Sequence, residues 1–313
     1  MGRKAILATF APSVDVQVKS VLIATDFSPA SEKPLRHALA VAHLYEAKFY
    51  LLHVVSQVGL TAVGSQPTNA ATEAAWLGVH QLEKELLESE ALDGLAHEFL
   101  VRQGNVWQEV ERVISEKHID LLIIGTHGRR GLGKLLFGSV AEQIFRHADC
   151  PVLTVGPGSF QGPMIDATEV VWPFLFATDF GAASIRALPY AVSFANRVGT
   201  KLILLHVIAP VPAGLHRLTG DDVMQTEELA RQSSLRLLKE LTENTELTVN
   251  PEFMVVFGSP SEKILEVAES FTADAIIMGL HRGAQHGTAS HMLGTTAYEV
   301  VLRAGCPVMT VRS

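Results

Sequence analysis

Apolar positions recur along the chain in two rhythms. Short runs dominated by Leu, Ile and Val occupy residues 21–25, 49–55, 99–102, 121–124 and 152–155, without the polar alternation of a strand wetted on one side. Runs of that length and composition predict strands of a parallel sheet covered on both faces. The segments between them carry helical spacing. Over 31–46, Leu35, Ala38, Leu39 and Ala42 share one face, and further helices are predicted over about 71–95, 106–117 and 139–147. Strand and helix in alternation predict a doubly wound α/β unit, a five-stranded parallel sheet with helices on both faces.

That unit is written twice. Residues 21–28, VLIATDFS, match 174–181, FLFATDFG; Leu51-Leu-His-Val54 matches Leu204-Leu-His-Val207; 120–125, DLLIIG, match 274–279, DAIIMG. Ala148-Asp-Cys-Pro-Val152 matches Ala304-Gly-Cys-Pro-Val308, and the offset drifts from 153 to 156 along the chain. A period this long is a duplicated domain, since solenoid repeats run at roughly 20–50 residues. The Gly- and Pro-rich stretch 156–163 reads as a linker. The predicted domains are therefore 19–157 and 168–313.

Composition narrows the function classes. The 313 residues are 48% hydrophobic and 19% charged, which suits two packed cores and excludes disorder, collagen and coiled coil. With 25 basic against 33 acidic residues the formal charge is −8, so no nucleic-acid partner is expected. No apolar run approaches the roughly 18 residues of a membrane span. Arg3 and Lys4 before the apolar run 5–11 loosely imitate a signal peptide, but the run is short, ends at Pro12 and lacks a clear cleavage site. A cytoplasmic leader is the expectation. Cys150 and Cys306 are too few for a disulfide framework and fit a reducing compartment.

The densest chemistry follows the fourth strand of the first unit. Gly125-Thr-His-Gly128 is followed, nine residues on, by Gly138-Ser139, a G-x2-G-x9-G-S pattern leading into a helix. Glycines let backbone N–H groups approach an anion, and a helix N-terminus adds donors and a favourable dipole. Arg129, Arg130 and Lys134 are available as counter-charges, although solvated loop cations are the ordinary reading. A triphosphate suits this arrangement. The overlapping G-x4-G-K at Gly128–Lys134 is followed by Leu135, where a Walker loop needs a hydroxyl for Mg²⁺. Gly131-Leu-Gly133 lacks the third glycine of a dinucleotide fingerprint, with Leu136 in its place.

On these motifs the sequence resembles tandem universal stress proteins over nearly its whole length. The glycine spacing resembles that family's ATP-binding signature. The resemblance implies that Asp26 and the turn around Val54 face base and ribose. It implies that Gly125, His127, Gly128, Arg129, Gly138, Ser139 and Val140 line ribose and phosphates. An open sheet of order 3-2-1-4-5 makes the first and fourth strands neighbours at its switch point, where ligands bind at the carboxyl ends. Asp26 ends one of these strands and Gly125 the other. Asp26 could instead form an Asx turn or cap the helix near Ser28-Pro29; beside the glycine loop, ligand contact is preferred. Ser139 is also a candidate N-cap, a role compatible with phosphate contact.

The second copy has drifted. Its loop runs from Gly279 to Gly294-Thr295, with Arg282 where the second glycine belongs and a span two residues longer. Asp179, Gly279, Gly294 and Thr295 remain as candidate contacts, and tight binding is expected only in the first unit. His281, His286 and His291 lie five apart, unlike the i, i+4 pairing of zinc helices, so no metal site is expected. His53 and His206 read as satisfied structural histidines, and Cys150 and Cys306 as small core residues. No catalytic constellation is evident. The expected function is that of an ATP-binding stress-response regulator, with or without Mg²⁺; the alternative is a slow ATP-hydrolysing or nucleotide-transferring enzyme. The resemblance further implies pairing of the last strands, 151–155 and 307–311, between the two domains, with further association into a homodimer open. Loops at 59–69 and before Asp221 are expected to act as lids.

Overall fold

A computed structural model of the chain describes residues 16–56, 69–126, 138–159, 172–209, 220–281 and 296–313. The chain divides into two compact units, one within Gln17–Thr168 and the other within Glu169–Ser313. In the first, strands β1 (Ser20–Thr25), β2 (Lys48–Ser56), β3 (His97–Gly104), β4 (Leu121–Gly125) and β5 (Val152–Val155) alternate with helices. These are α1 (Glu32–Tyr45), α2 (Asn69–Glu88), α3 (Val106–Lys117) and α4 (Ser139–His147). All pairings are parallel, as the strand and helix pattern predicts, and the order is β3-β2-β1-β4-β5, the order expected of the sheet.

The second unit repeats the plan. Strands β6 (Phe174–Ala177), β7 (Leu202–Ile208), β8 (Glu252–Phe257), β9 (Ala275–Leu280) and β10 (Val308–Arg312) lie in the order β8-β7-β6-β9-β10. Helices α5 (Ala182–Val198), α6 (Gly220–Thr242), α7 (Pro260–Ser270) and α8 (Thr296–Arg303) connect them.

Burial on both sheet faces explains the apolar runs. Leu22, Leu52, Leu122 and Val152 pack on Val110 and Val113 of α3 and on Ala141 and Ile144 of α4. The alternate residues Val21, Ile23, Leu51, Leu121 and Ile123 are equally buried, and α1 lies against β1 and β4. At about 1.5–3 kcal/mol per fully buried aliphatic side chain, this double layer is the main stabilising contribution.

The element ends follow local chemistry. Asn105 caps α3 by accepting from the Gln108 N–H at 3.2 Å. Glu46 and His118 close α1 and α3 in the left-handed conformation. The helix predicted to continue to residue 95 stops at Glu88. There the chain turns through left-handed Glu90 and Gly94, while Leu92 and Leu95 still reach the core.

Candidate functional site

The carboxyl ends of β2, β1 and β4 form one edge. β1 pairs with β4 through Val21↔Leu121, Leu22↔Leu122 and Ile23↔Ile123. Continued by three residues, that register sets Asp26 level with Thr126, just past Gly125. Val54 sits near the same end of β2. The structure thus brings Asp26, Val54 and Gly125 to one strand edge at the switch point.

Helix α4 is tied to that edge at its N-terminus. The Gly138 N–H donates to the Thr126 carbonyl at 2.9 Å, and the Thr126 N–H donates to the Val155 carbonyl at 3.1 Å. Gly138, not Ser139, is the N-cap and has no side chain to cap the helix with, and Ser139 is its exposed first residue. A Cβ at Gly138 would stand 3.3 Å from the Thr126 carbonyl oxygen, so the close approach suits glycine. The first intrahelical donor is the Glu142 N–H, to Gly138 at 2.8 Å. Those of Ser139, Val140 and Ala141 have no partner within the helix. Val140 leans on the core beneath. His127, Gly128 and Arg129 lie outside the described residues.

The turn after β1 is unusual in its backbone. Asp26 Oδ1 accepts from the Ser28 N–H at 2.9 Å and from the Ser31 hydroxyl at 2.8 Å, an Asx turn. Phe27 has φ 60°, and its N–H donates to Thr25 Oγ1 at 3.1 Å. Its ring stacks on His53, centroids 4.5 Å apart at 29°, and His53 Nδ1–H donates to the Thr25 carbonyl at 2.8 Å. Because a carbonyl only accepts, this bond fixes the proton on Nδ1.

The second unit reproduces the turn. Asp179 Oδ1 accepts from the Gly181 N–H and the Ser184 hydroxyl, both at 2.8 Å. Phe180 has φ 60° and donates to Thr178 Oγ1 at 2.9 Å. His206 Nδ1–H donates to the Thr178 carbonyl at 2.8 Å, and its ring lies 4.4 Å from Phe180. The other Asp179 oxygen accepts from His281 Nε2 at 3.0 Å. Burial pushes the Asp179 carboxyl up, but bonds from His281, the Gly181 N–H and Ser184 outweigh it and hold the group below the usual range. At 60% exposure, water screens much of this interaction.

Gly279 has a packing task of its own. A Cβ there would lie 2.2 Å from the Ser184 backbone nitrogen and 2.3 Å from the Ala183 carbonyl carbon, so α5 seats directly on the end of β9. Gly294 and Thr295 lie outside the described residues, as do His286, His291 and most of the 59–69 and pre-221 segments. Among the described residues no cluster of three or more His, Cys, Asp or Glu could hold a metal ion. Cys150 and Cys306 are buried, unpaired thiols, each pushed up to about 12 by burial.

Thr25, Phe27, Ser31 and their counterparts Thr178, Phe180 and Ser184 were not singled out from the sequence. Their signal was present: ATDF recurs at 24–27 and 177–180, each followed by a serine five residues after the aspartate.

The family model described as the universal stress protein family matches the chain twice, at residues 17–156 and 173–312. A universal stress protein of Mycolicibacterium smegmatis is 26% identical over 301 residues, covering 93% of this chain and 96% of that protein. One from Methanocaldococcus jannaschii is 34% identical over 152 residues, 44% of this chain and 81% of its own. In fold, the chain is similar to the crystal structure of a universal stress protein from Archaeoglobus fulgidus. That likeness has a TM-score of 0.64 at 20% identity and covers 95% of this chain and 99% of that one. No helix among the described residues is long and apolar enough to cross a membrane.

Proposed function

The chain belongs to the universal stress protein family, and on that premise we propose that its first domain is a regulatory unit that binds ATP at the edge where β1 meets β4. The observation that carries this reading is the N-terminus of α4. Its N-cap is Gly138, which has no side chain to spend on the helix end and anchors it to Thr126, and its leading N–H groups have no helical partners. Such an end favours a phosphate, whose negative charge complements the helix dipole. Asp26 on the neighbouring strand is acidic and held in a defined rotamer, which suits hydrogen bonding to ribose hydroxyls rather than to phosphate. Val54 at the end of β2 offers backbone groups to a base. Ser139, exposed at the first helical turn, adds a hydroxyl toward the phosphates.

His127, Gly128 and Arg129 complete the same site in this reading, with ATP taken alone or with Mg²⁺. The second domain, through Asp179, Gly279, Gly294 and Thr295, binds nucleotide weakly. Nucleotide occupancy then biases a stress-response partner, and the two unpaired cysteines suit a cytoplasmic setting.

The experiment is to identify by mass spectrometry the nucleotide that co-purifies with the chain, then follow ADP release over time with a Gly138→Val control. Bound ATP without turnover supports a binding protein. Multiple turnovers lost in Gly138→Val would replace it with the hydrolytic alternative.

A further inference from the structure

We propose that His53 is the positioning residue of the nucleotide-facing turn, acting through Thr25 and Phe27 on Asp26, and that His206 serves the second domain in the same way. The inference rests on the reading of Asp26 as a nucleotide contact.

Left-handed backbone is costly for a bulky side chain and persists only where the surroundings enforce it. Among the described residues the non-glycine positions with positive φ are Phe27, Glu46, Glu90, His118, Phe180 and Thr272. Glu46 and His118 are helix C-caps, and Glu90 and Thr272 follow the ends of α2 and α7. Phe27 and Phe180 instead stand at the start of a helical segment, each just before its N-cap, Ser28 or Gly181, and each follows the aspartate of a switch point.

What enforces it is the histidine one strand over. Thr25 and His53 face each other in the β1–β2 register. The ring N–H grips the Thr25 carbonyl, while the Thr25 hydroxyl accepts the Phe27 N–H. The Phe27 ring then lies over the imidazole, which closes the turn from above. Asp26 is thereby suspended between two pinned residues. A core histidine satisfied for its own sake needs only the carbonyl bond; it does not need a strained aromatic stacked on it. The same set of contacts recurs at Thr178, Phe180 and His206, although the glycine loop of that domain has diverged.

The test uses the full chain with His53→Ala, and with His53→Ala combined with Phe27→Gly. Readouts are ATP affinity by calorimetry, hydrogen exchange of the Phe27 and Ser28 amides, and thermal unfolding. His53→Ala should weaken ATP by about tenfold, the scale on which groups supporting a site act, and should deprotect both amides. Phe27→Gly in that background should restore most of the affinity, because glycine takes the left-handed backbone without strain. Unchanged affinity and protection in His53→Ala overturns the proposal, as does a deeper loss in the double variant, which marks a packing role only. If the wild-type chain binds no ATP, the proposed function fails, while amide protection still decides whether His53 positions the turn.

Discussion

At the ends of β1 and β6 the chain builds the same turn from threonine, aspartate and phenylalanine, with matching hydrogen bonds and a histidine ring against the phenylalanine, stacked in the first and tilted in the second. Around those turns the two domains part company. Ser20 and Asp120 in the first domain are answered by Pro173 and Asp274 in the second. The lysine pair on Glu98 is answered by a single lysine on Glu252. The duplicated unit has kept the geometry that aims its aspartate while its supporting polar contacts changed. Strand-end geometry and surface or base-of-sheet electrostatics are therefore separable, and substitutions at matched positions should expose the difference.

The largest contrast is expected at the glycines. Gly279→Ala forces a Cβ into the backbone of Ala183 and Ser184, and should cost about 3 kcal/mol or more. Gly138→Ala meets only the Thr126 carbonyl oxygen at 3.3 Å and should cost about 1 kcal/mol. Urea unfolding of the two variants measures the gap; equal losses would mean that the two glycines are equally crowded.

Next come the paired aspartates. Asp120 Oδ2 accepts from the Lys19 N–H at 2.8 Å, the Ser20 N–H at 3.1 Å and the Ser20 hydroxyl at 3.1 Å. Pro173 stands in the place of Ser20 and has neither a backbone N–H nor a hydroxyl to offer. Burial raises the Asp274 carboxyl from 3.8 to about 6, facing the buried Cys306 thiol. A raised value means that the folded state binds the proton more tightly. The stabilising contribution is complete below pH 3.8 and is lost as pH climbs through 6. By pH 8 the loss amounts to about 3 kcal/mol. Asp274→Asn should therefore stabilise the chain at pH 8 and change little near pH 4. Asp120→Asn should destabilise it by about 1–3 kcal/mol at pH 8. Urea titrations at both pH values read the opposite signs.

The smallest contrast lies at the amino ends of the sheets. Hydrogen bonds from Lys117 and then Lys48 hold Glu98 below the usual carboxylate range. A lowered value places this contribution above the unfolded pKa and removes it as pH falls through the folded one. Glu98→Gln should cost about 1 kcal/mol at neutral pH, and Glu252→Gln, facing Lys201 alone, only a few tenths. Thermal midpoints in low and high salt should bring the two variants together.

Most of the architecture was legible because buried parallel strands and amphipathic helices announce themselves by periodicity. Strand ends were less so. Ser20, Lys48, Ser56, His97 and Glu98 are polar yet complete the ladders, since backbone bonds do not depend on side-chain polarity. The end of α2 was hidden because Leu92 and Leu95 keep helical spacing while packing from turns. At the site, the repeat drew attention to Asp26 and Asp179. Neither the φ of Phe27 nor the bond between His281 and Asp179, 102 residues apart, has a signature in local sequence. The fate of Asp274 depended on a proline a strand away.

The proposed function requires one well-formed nucleotide site per chain, in the first domain. Calorimetric titration of ATP into the wild-type chain and into Gly138→Val and Gly294→Val variants tests it most directly. Close to one tight equivalent is expected, abolished by Gly138→Val and retained in Gly294→Val. Two equivalent tight sites, or equal losses from both variants, would contradict it.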